Sequence, residues 1–183
     1  RVYNCSGSDV WEGNVNVYTS DWQIPEEAEL WLKAECRLSD FPLRTGLHIE
    51  NRPGMVNFSV VGRNATIGER KMYVEYDIKT KERIKIAKEF QKFFPAIQAV
   101  VGGETGIDIF PYGKDKAQII NDFNELEDTL HFFGDRMDPA GNDYPLKKVI
   151  LDNNLGRCYS VDDWKHTWKL LKNISTKSGQ KKK

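Results

Sequence analysis

Two strand-like runs, Leu47–Glu50 and Met55–Val61, are separated only by Asn51-Arg52-Pro53-Gly54. Proline presets the φ that the first turn position needs, and glycine accepts the positive φ that side chains resist, so Pro53-Gly54 turns the chain back on itself. The middle of the chain is thereby constrained to contain an antiparallel pair, with Arg52 at a strand edge beside the turn.

The flanking pattern extends this reading. Val2–Tyr18 reads as short strands broken by Gly7 and by Glu12-Gly13-Asn14. Pro25 opens a helix where no backbone donor is needed, with Glu26 and Glu27 in its first turn and Ala28, Trp31 and Leu32 on its apolar face. Lys71–Ile78 is read as a further strand. Lys81–Phe94 is an amphipathic helix with Ile84, Ala87, Phe90 and Phe94 on one side, stopped by Pro95. Val100–Phe110 is extended, interrupted by Gly102-Gly103 and Gly106, and Lys114–Phe123 is compatible with a helix. Leu130–Phe133 is a buried-strand run ending at Gly134-Asp135, and Val149–Leu151 repeats that pattern. Ser160-Val-Asp-Asp163 reads as an acidic capping box that starts a last helix with Trp164, Trp168 and Leu171 inward. Strand-strand-helix-strand in the middle suggests a small α+β layer, whereas the alternation at the end suggests a parallel α/β sheet.

A chain of 183 residues holds one generous domain, or a core carrying an inserted one. The hydrophobic fraction of 39% and mean hydropathy of −0.60 are those of a soluble protein, and no apolar run approaches the roughly 20 residues a bilayer span needs. With 27 basic and 27 acidic side chains there is no global field to draw the chain to nucleic acid. Cys5, Cys36 and Cys158 are far apart without metal-ligand spacing, and read as reduced thiols of a cytosolic protein. Glycosylation triplets at Asn4, Asn57, Asn64 and Asn173 read as coincidence, because Asn57 lies inside an apolar strand run where no glycan packs. The opening Arg1-Val2-Tyr3-Asn4-Cys5 has neither an initiator Met nor a leader and reads as a cut start.

Three groups of residues carry chemistry. Phe132-Phe133-Gly134-Asp135, followed by Gly141-Asn142-Asp143, places two carboxylates around a glycine-containing loop. That suits magnesium, which takes one or two carboxylates plus phosphate and water; an acidic loop capping the next helix is the alternative. Gly113-Lys114-Asp115-Lys116 offers a lysine able to neutralise a phosphoryl group, against a solvated surface lysine. Arg52, Arg63 and Arg70 follow or flank strand ends, where guanidinium groups grip phosphate through paired hydrogen bonds; scattered surface arginines are the alternative.

From Arg52 onward the chain resembles the eukaryotic phosphomannomutases of the haloacid-dehalogenase superfamily, and residues 1–51 resemble them more loosely. The family's Arg-Asn-Gly-Met-Leu-Asn-Val-Ser-Pro-Ile-Gly-Arg is matched by Arg52-Pro-Gly-Met-Val-Asn57-Phe-Ser-Val-Val-Gly-Arg63, and its Glu-Arg by Glu69-Arg70. Gly102-Gly-Glu-Thr-Gly106-Ile-Asp108-Ile-Phe-Pro111 is similar to Gly-Gly-x-Ile-Ser-Phe-Asp-Val-Phe-Pro, and Gly113-Lys-Asp-Lys116 to Gly-Trp-Asp-Lys. His131-Phe-Phe-Gly-Asp135 through Gly141-Asn-Asp143 matches the metal loop, and Gly156–Trp164 the closing segment. Two positions depart: the family's phosphate-binding Ser is Gly106, and its Trp is Lys114.

The resemblance implies an α/β fold: an incomplete haloacid-dehalogenase-like Rossmannoid core at 1–18 and 113–175, a sugar-phosphate-binding α+β cap of antiparallel sheet and helices at 19–112, and a disordered basic tail at 176–183. It implies that Arg52, Arg63, Arg70 and Asp108, with Asn57 and the Gly106 position, bind the sugar phosphate. Lys116 would steady an aspartyl-phosphate, and Asp135, Asn142 and Asp143 would organise Mg²⁺. The implied activity interconverts mannose 1-phosphate and mannose 6-phosphate for GDP-mannose synthesis, with a sugar 1,6-bisphosphate as activator. The implied protein is a cytoplasmic homodimer joined through the cap, with hexose phosphates as partners and no nucleic acid or membrane. The superfamily nucleophile is the first Asp of an Asp-x-Asp motif, yet no Asp here is followed two positions later by another. That pair is expected ahead of Arg1, which leaves the chain by itself inactive. A sugar-phosphate phosphatase on the same scaffold and a non-catalytic sugar-phosphate binder are the competing readings.

Overall fold

The computed structural model describes residues 1–123, 129–139 and 141–179, with side chains through 174. It comprises two compact units, Arg1–Ile119 and Ile120–Lys183.

The first unit opens with an antiparallel meander of β1 (Val2–Asn4), β2 (Asp9–Glu12) and β3 (Val15–Thr19). Asp9 ties it together, accepting hydrogen bonds from the side chains of Asn4, Trp11, Asn16 and Thr19. These bonds, that from Asn4 foremost, hold its carboxyl below the usual range. Then follow α1 (Glu26–Leu38), β4 (Ile49–Arg52), β5 (Met55–Phe58), α2 (Ile67–Thr80), α3 (Glu82–Phe93), β6 (Ile97–Gly102) and β7 (Gly106–Pro111). The last four strands form one antiparallel sheet in the order β4-β5-β7-β6.

Strand side chains alternate between faces, and the register assigns those faces. Val56, Phe58, Ile107, Ile109 and Ala99 join Leu32 of α1, Tyr73 of α2 and Phe90 of α3 in a single core. Asn57 and Asp108, lying between those apolar positions, belong to the opposite face. In α3, Ile86 rather than Ile84 completes the buried stripe with Ala87 and Phe90; Ile84 is exposed.

Lys71–Ile78 is helical, not the strand its alternation suggests. The deciding signal lies upstream: Thr66 Oγ1 accepts the Glu69 N–H, and Glu69 Oε2 accepts the Thr66 N–H at 2.7 Å, a capping box that nucleates α2. The Thr66 N–H and then its hydroxyl hold the Glu69 carboxyl below its ordinary pKa. A folded pKa below the unfolded one contributes stability above the unfolded value and loses it as pH falls through the folded one. Glu69→Gln is therefore expected to unfold at lower temperature than wild type at pH 7. The gap should narrow as pH falls below the ordinary glutamate value of about 4.3 and close only once the folded carboxyl is itself protonated, as thermal melts at successively lower pH would read.

After β7 the chain makes a 3-10 turn, Lys116–Asp122, in place of the α-helix expected for Lys114–Phe123. Asp115 Oδ1 accepts the Ala117 N–H, the kind of local side-chain bond that favours a turn over a helix interior. Gln118 Nε2 donates to Ser6 O at 2.8 Å and ties this turn to the N-terminal meander.

The second unit is a strand-helix-strand crossover. β8 (Leu130–Gly134) and β9 (Gly156–Ser160) pair in parallel, and α4 (Tyr144–Asp152) connects them. Val149–Leu151 belongs to α4, not to a strand. A three-residue apolar run cannot separate the two states, but Leu146 and Ile150, one helical turn apart, are both buried. The last helix, α5 (Trp164–Gly179), is capped by Asp163, whose Oδ1 accepts the His166 N–H at 2.8 Å; Ser160 ends β9 instead.

One expectation for this helix fails. Trp164 and Trp168, expected inward, are 68% and 58% exposed, and Leu171 is 37% exposed. Their spacing does place them on one face, but a stripe is buried only where another element covers it, and none of the described residues does. Helix α5 runs on through Gly179, with no helix breaker ahead of it. The remainder of the expected tail, 180–183, lies outside the described residues.

Candidate functional site

The polar face of the four-stranded sheet carries Arg52, Asn57, Gly106 and Asp108, and Arg63 reaches it through Glu50. Register places Glu50 opposite Asn57 and Asn57 opposite Asp108, while Arg52 stands two residues from Glu50 on the same face. Asn57, in the fully buried β5, donates through Nδ2 to Asp108 Oδ1 at 2.7 Å. Its Oδ1 is buried without a partner among the described residues.

Arg52 and Arg63 meet at Glu50. Arg52 Nη2 donates to Glu50 Oε2 at 2.6 Å, and Arg63 Nε lies 2.9 Å from the same oxygen. The Arg63 Nε is buried and pairs by charge, its N–H not aimed at a carboxylate oxygen. Burial by itself would raise the Glu50 carboxyl, but the hydrogen bond and charge of Arg52, then the charge of Arg63, outweigh it and hold the group below its ordinary pKa. Each of the three side chains remains about a third exposed, so the guanidiniums can still meet a ligand.

Gly106 sits directly against Asn57. A Cβ there would lie 2.6 Å from Asn57 Nδ2, and one at Gly102 would lie 2.3 Å from Asp108 Oδ2. Serine at 106 would require the Asn57 amide to move, so the two residues are matched in this chain. The β6–β7 turn that carries Gly106 is held from behind by Arg83. Its Nη1 donates to Gly103 O and Gly106 O at 3.2 and 3.3 Å, and its Nε to Asp77 Oδ2 at 2.9 Å.

Arg70 has two donors on the main chain, Nε to Ala65 O and Nη2 to Arg63 O at 2.8 Å. It braces the loop that presents Arg63. Lys116 is half-buried at the start of its 3-10 turn.

In the second unit, Asp143 is 3% exposed and its Oδ2 accepts the Arg136 N–H at 3.1 Å. It occupies the N-cap position of α4, yet its side chain makes no capping bond, so the simple capping alternative does not account for it. Gly134 leaves it room, since a Cβ there would sit 2.5 Å from Oδ2. Asp135 follows Gly134 and is exposed; Asn142 is half-buried. Two carboxylates and an amide are hard oxygen donors, with Asp143 buried, Asn142 half-buried and Asp135 accessible. They fit Mg²⁺, which needs few protein ligands. Among the described residues no group of three or more His, Cys, Asp or Glu could hold a metal, so a cage built wholly from such side chains is not in view.

Reading the sequence alone missed Glu50, Arg83 and Asp77. Glu50 carried a usable signal, two residues from Arg52 on the same strand face. The Asp77–Arg83 pair joins α2 to α3 across a left-handed Lys81, a geometry no local spacing rule reports.

Comparison with known proteins places these features. A family model described as eukaryotic phosphomannomutase matches residues 10–177. The Drosophila melanogaster phosphomannomutase is 33% identical over 144 residues, which cover 76% of this chain and 56% of the relative. The Saccharomyces cerevisiae phosphomannomutase is 37% identical over 139 residues, 72% of this chain and 52% of its own, and a probable phosphomannomutase of Caenorhabditis elegans is 37% identical over 107 residues. The chain thus spans about half the length of the curated relatives it matches. Among solved structures, an IMP-bound mutant of the Plasmodium falciparum IMP-nucleotidase aligns over 86% of this chain and 40% of its own, with a TM-score of 0.49 and 19% identity. No helix among the described residues is long and apolar enough to cross a membrane. Matched along nearly its whole length by one family model, and similar to proteins of that name from fly to yeast, the chain belongs to the eukaryotic phosphomannomutase family.

Proposed function

We propose that the complete protein is a phosphomannomutase, interconverting mannose 1-phosphate and mannose 6-phosphate through an aspartyl-phosphate and a sugar bisphosphate and so serving GDP-mannose synthesis. One observation carries the reading: two guanidiniums, Arg52 and Arg63, meet on the sheet face that also bears Asn57 and Asp108. Paired guanidiniums suit a phosphate group, and an amide beside a carboxylate suits sugar hydroxyls.

In this reading Arg52 and Arg63 grip the phosphate, Arg70 shapes the Arg63 loop and adds its charge, and Asp108 with Asn57 orients the sugar beside Gly106. Lys116 steadies the aspartyl-phosphate. Asp135, Asn142 and Asp143 hold Mg²⁺, whose charge offsets that of the phosphoryl group when bound. The Asp-x-Asp pair, absent from these 183 residues, comes from sequence outside them. Residues 1–18 and 113–175 would belong to the core and 19–112 to the cap. The protein works in the cytoplasm as a homodimer joined through the cap, primed by a sugar 1,6-bisphosphate.

A full-length gene product, assayed with mannose 1-phosphate and glucose 1,6-bisphosphate, is expected to yield mannose 6-phosphate. Absence of turnover with both mannose and glucose phosphates would reject the proposal. The fit of Gly106 against Asn57, where the family has Ser, favours a second reading, a sugar-phosphate phosphatase with weakened hold on the bisphosphate. Steady release of inorganic phosphate without isomerised sugar would identify it.

A further inference from the structure

Glu50 is the acidic member of a cationic site. Its Oε2 accepts from Arg52 Nε at 3.2 Å and Nη2 at 2.6 Å, and lies 2.9 Å from Arg63 Nε. A single carboxylate oxygen therefore sits against the Nε edge of both guanidiniums. Among the described residues, nothing bonds to Arg52 Nη1 or to either terminal nitrogen of Arg63.

Two guanidiniums brought onto one small patch repel each other, and long side chains gain entropy by separating into water. A carboxylate between them reverses the sign of the local interaction and fixes which edge of each planar fork stays open. We infer that Glu50 is the positioning residue of this anion site: it clamps Arg52 and Arg63 by their Nε edges and turns their terminal N–H groups toward one phosphate. The inference rests on the proposal that these arginines bind a sugar phosphate, and it adds the element that makes two separate arginines one receptor. Cross-strand register supports the assignment, because Glu50 stands between Arg52 on its own strand and Asn57 on the next.

The sign of the mutational effect separates this role from simple charge balance. If Glu50 only diluted positive charge, its neutralisation would tighten phosphate binding. If it positions the arginines, neutralisation weakens binding although the site becomes more positive. Calorimetric titration of the full chain with mannose 1-phosphate is expected to give a Kd at least about tenfold higher for Glu50→Gln than for wild type, with Glu50→Asp recovering part of the loss. Arginine Nε–H spectra supply a measurement that needs no variant to fold. In the wild-type chain the Arg52 and Arg63 signals should exchange with water more slowly than that of exposed Arg37. In Glu50→Gln both should move together.

Wild-type affinity or tighter binding in Glu50→Gln overturns the inference and leaves the phosphosugar reading standing, as does Nε–H exchange as fast as that of Arg37. A wild-type chain that binds no mannose 1-phosphate overturns both.

Discussion

Arg83→Met is expected to destabilise the first unit by about 3–5 kcal/mol, the range for removing one partner of a buried ion pair. The Arg83 and Asp77 side chains are only 12% and 10% exposed, and the pair joins the end of α2 to the start of α3. Asp77 Oδ1 also accepts the Arg83 backbone N–H at 2.8 Å, so the variant would keep one hydrogen bond but leave a carboxylate with no counter-charge. Two carbonyls, Gly103 O and Gly106 O, would lose their guanidinium donor as well. The turn that sets Gly106 beside Asn57 would then loosen, and affinity for a sugar phosphate should fall even where the fold survives. Urea unfolding reads the first effect and titration with mannose 1-phosphate the second. A loss below about 1 kcal/mol, the scale of exposed ion pairs, would mean that the pair is hydrated in solution.

Gly62→Ala is expected to be comparably severe for a different reason. Gly62 has φ +90°, and a Cβ there would lie 2.0 Å from Thr45 O, a backbone atom that cannot swing aside. The two segments involved are joined on either side of that contact. The Thr45 N–H donates to Val61 O at 2.9 Å, and the Arg63 N–H to Leu47 O at 2.7 Å. Parting them would break those bonds and carry Arg63 away from Glu50. A destabilisation above about 3 kcal/mol follows from strain and lost hydrogen bonds together. Gly103→Ala is the matched control, with positive φ but nothing within 4 Å of its Cβ. It should lose no more than about 1–2 kcal/mol, the strain of a left-handed residue alone.

The elements legible in the sequence were those whose signals are local. The Pro53-Gly54 turn, the acidic first turn of α1 and the β8 run ending at Gly134 all depend on residues within a few positions of one another. The errors fell where a local pattern allowed two states. Lys71–Ile78 alternates like a strand, but the capping box at Thr66 and Glu69 lies just upstream of the window in which alternation is judged. Val149–Leu151 is short enough to pass for a strand, and the burial of Leu146 and Ile150 shows otherwise. Trp164, Trp168 and Leu171 do share one helix face, but the described residues form no interior against it.

What the amino-acid sequence determined by itself was the inventory: an antiparallel hairpin, a strand-helix-strand closing segment, and motifs sufficient to identify the family. Turn chemistry, capping and motif order act over short stretches of chain, so they survive without coordinates. Tertiary structure decided the partnerships, with Glu50 meeting Arg63, Asn57 meeting Asp108, and Arg83 meeting the carbonyl of Gly106. Those contacts follow from strand register and helix packing, which bring together groups up to 51 residues apart, and charge or hydrogen-bonding capacity alone does not name a side chain's partner.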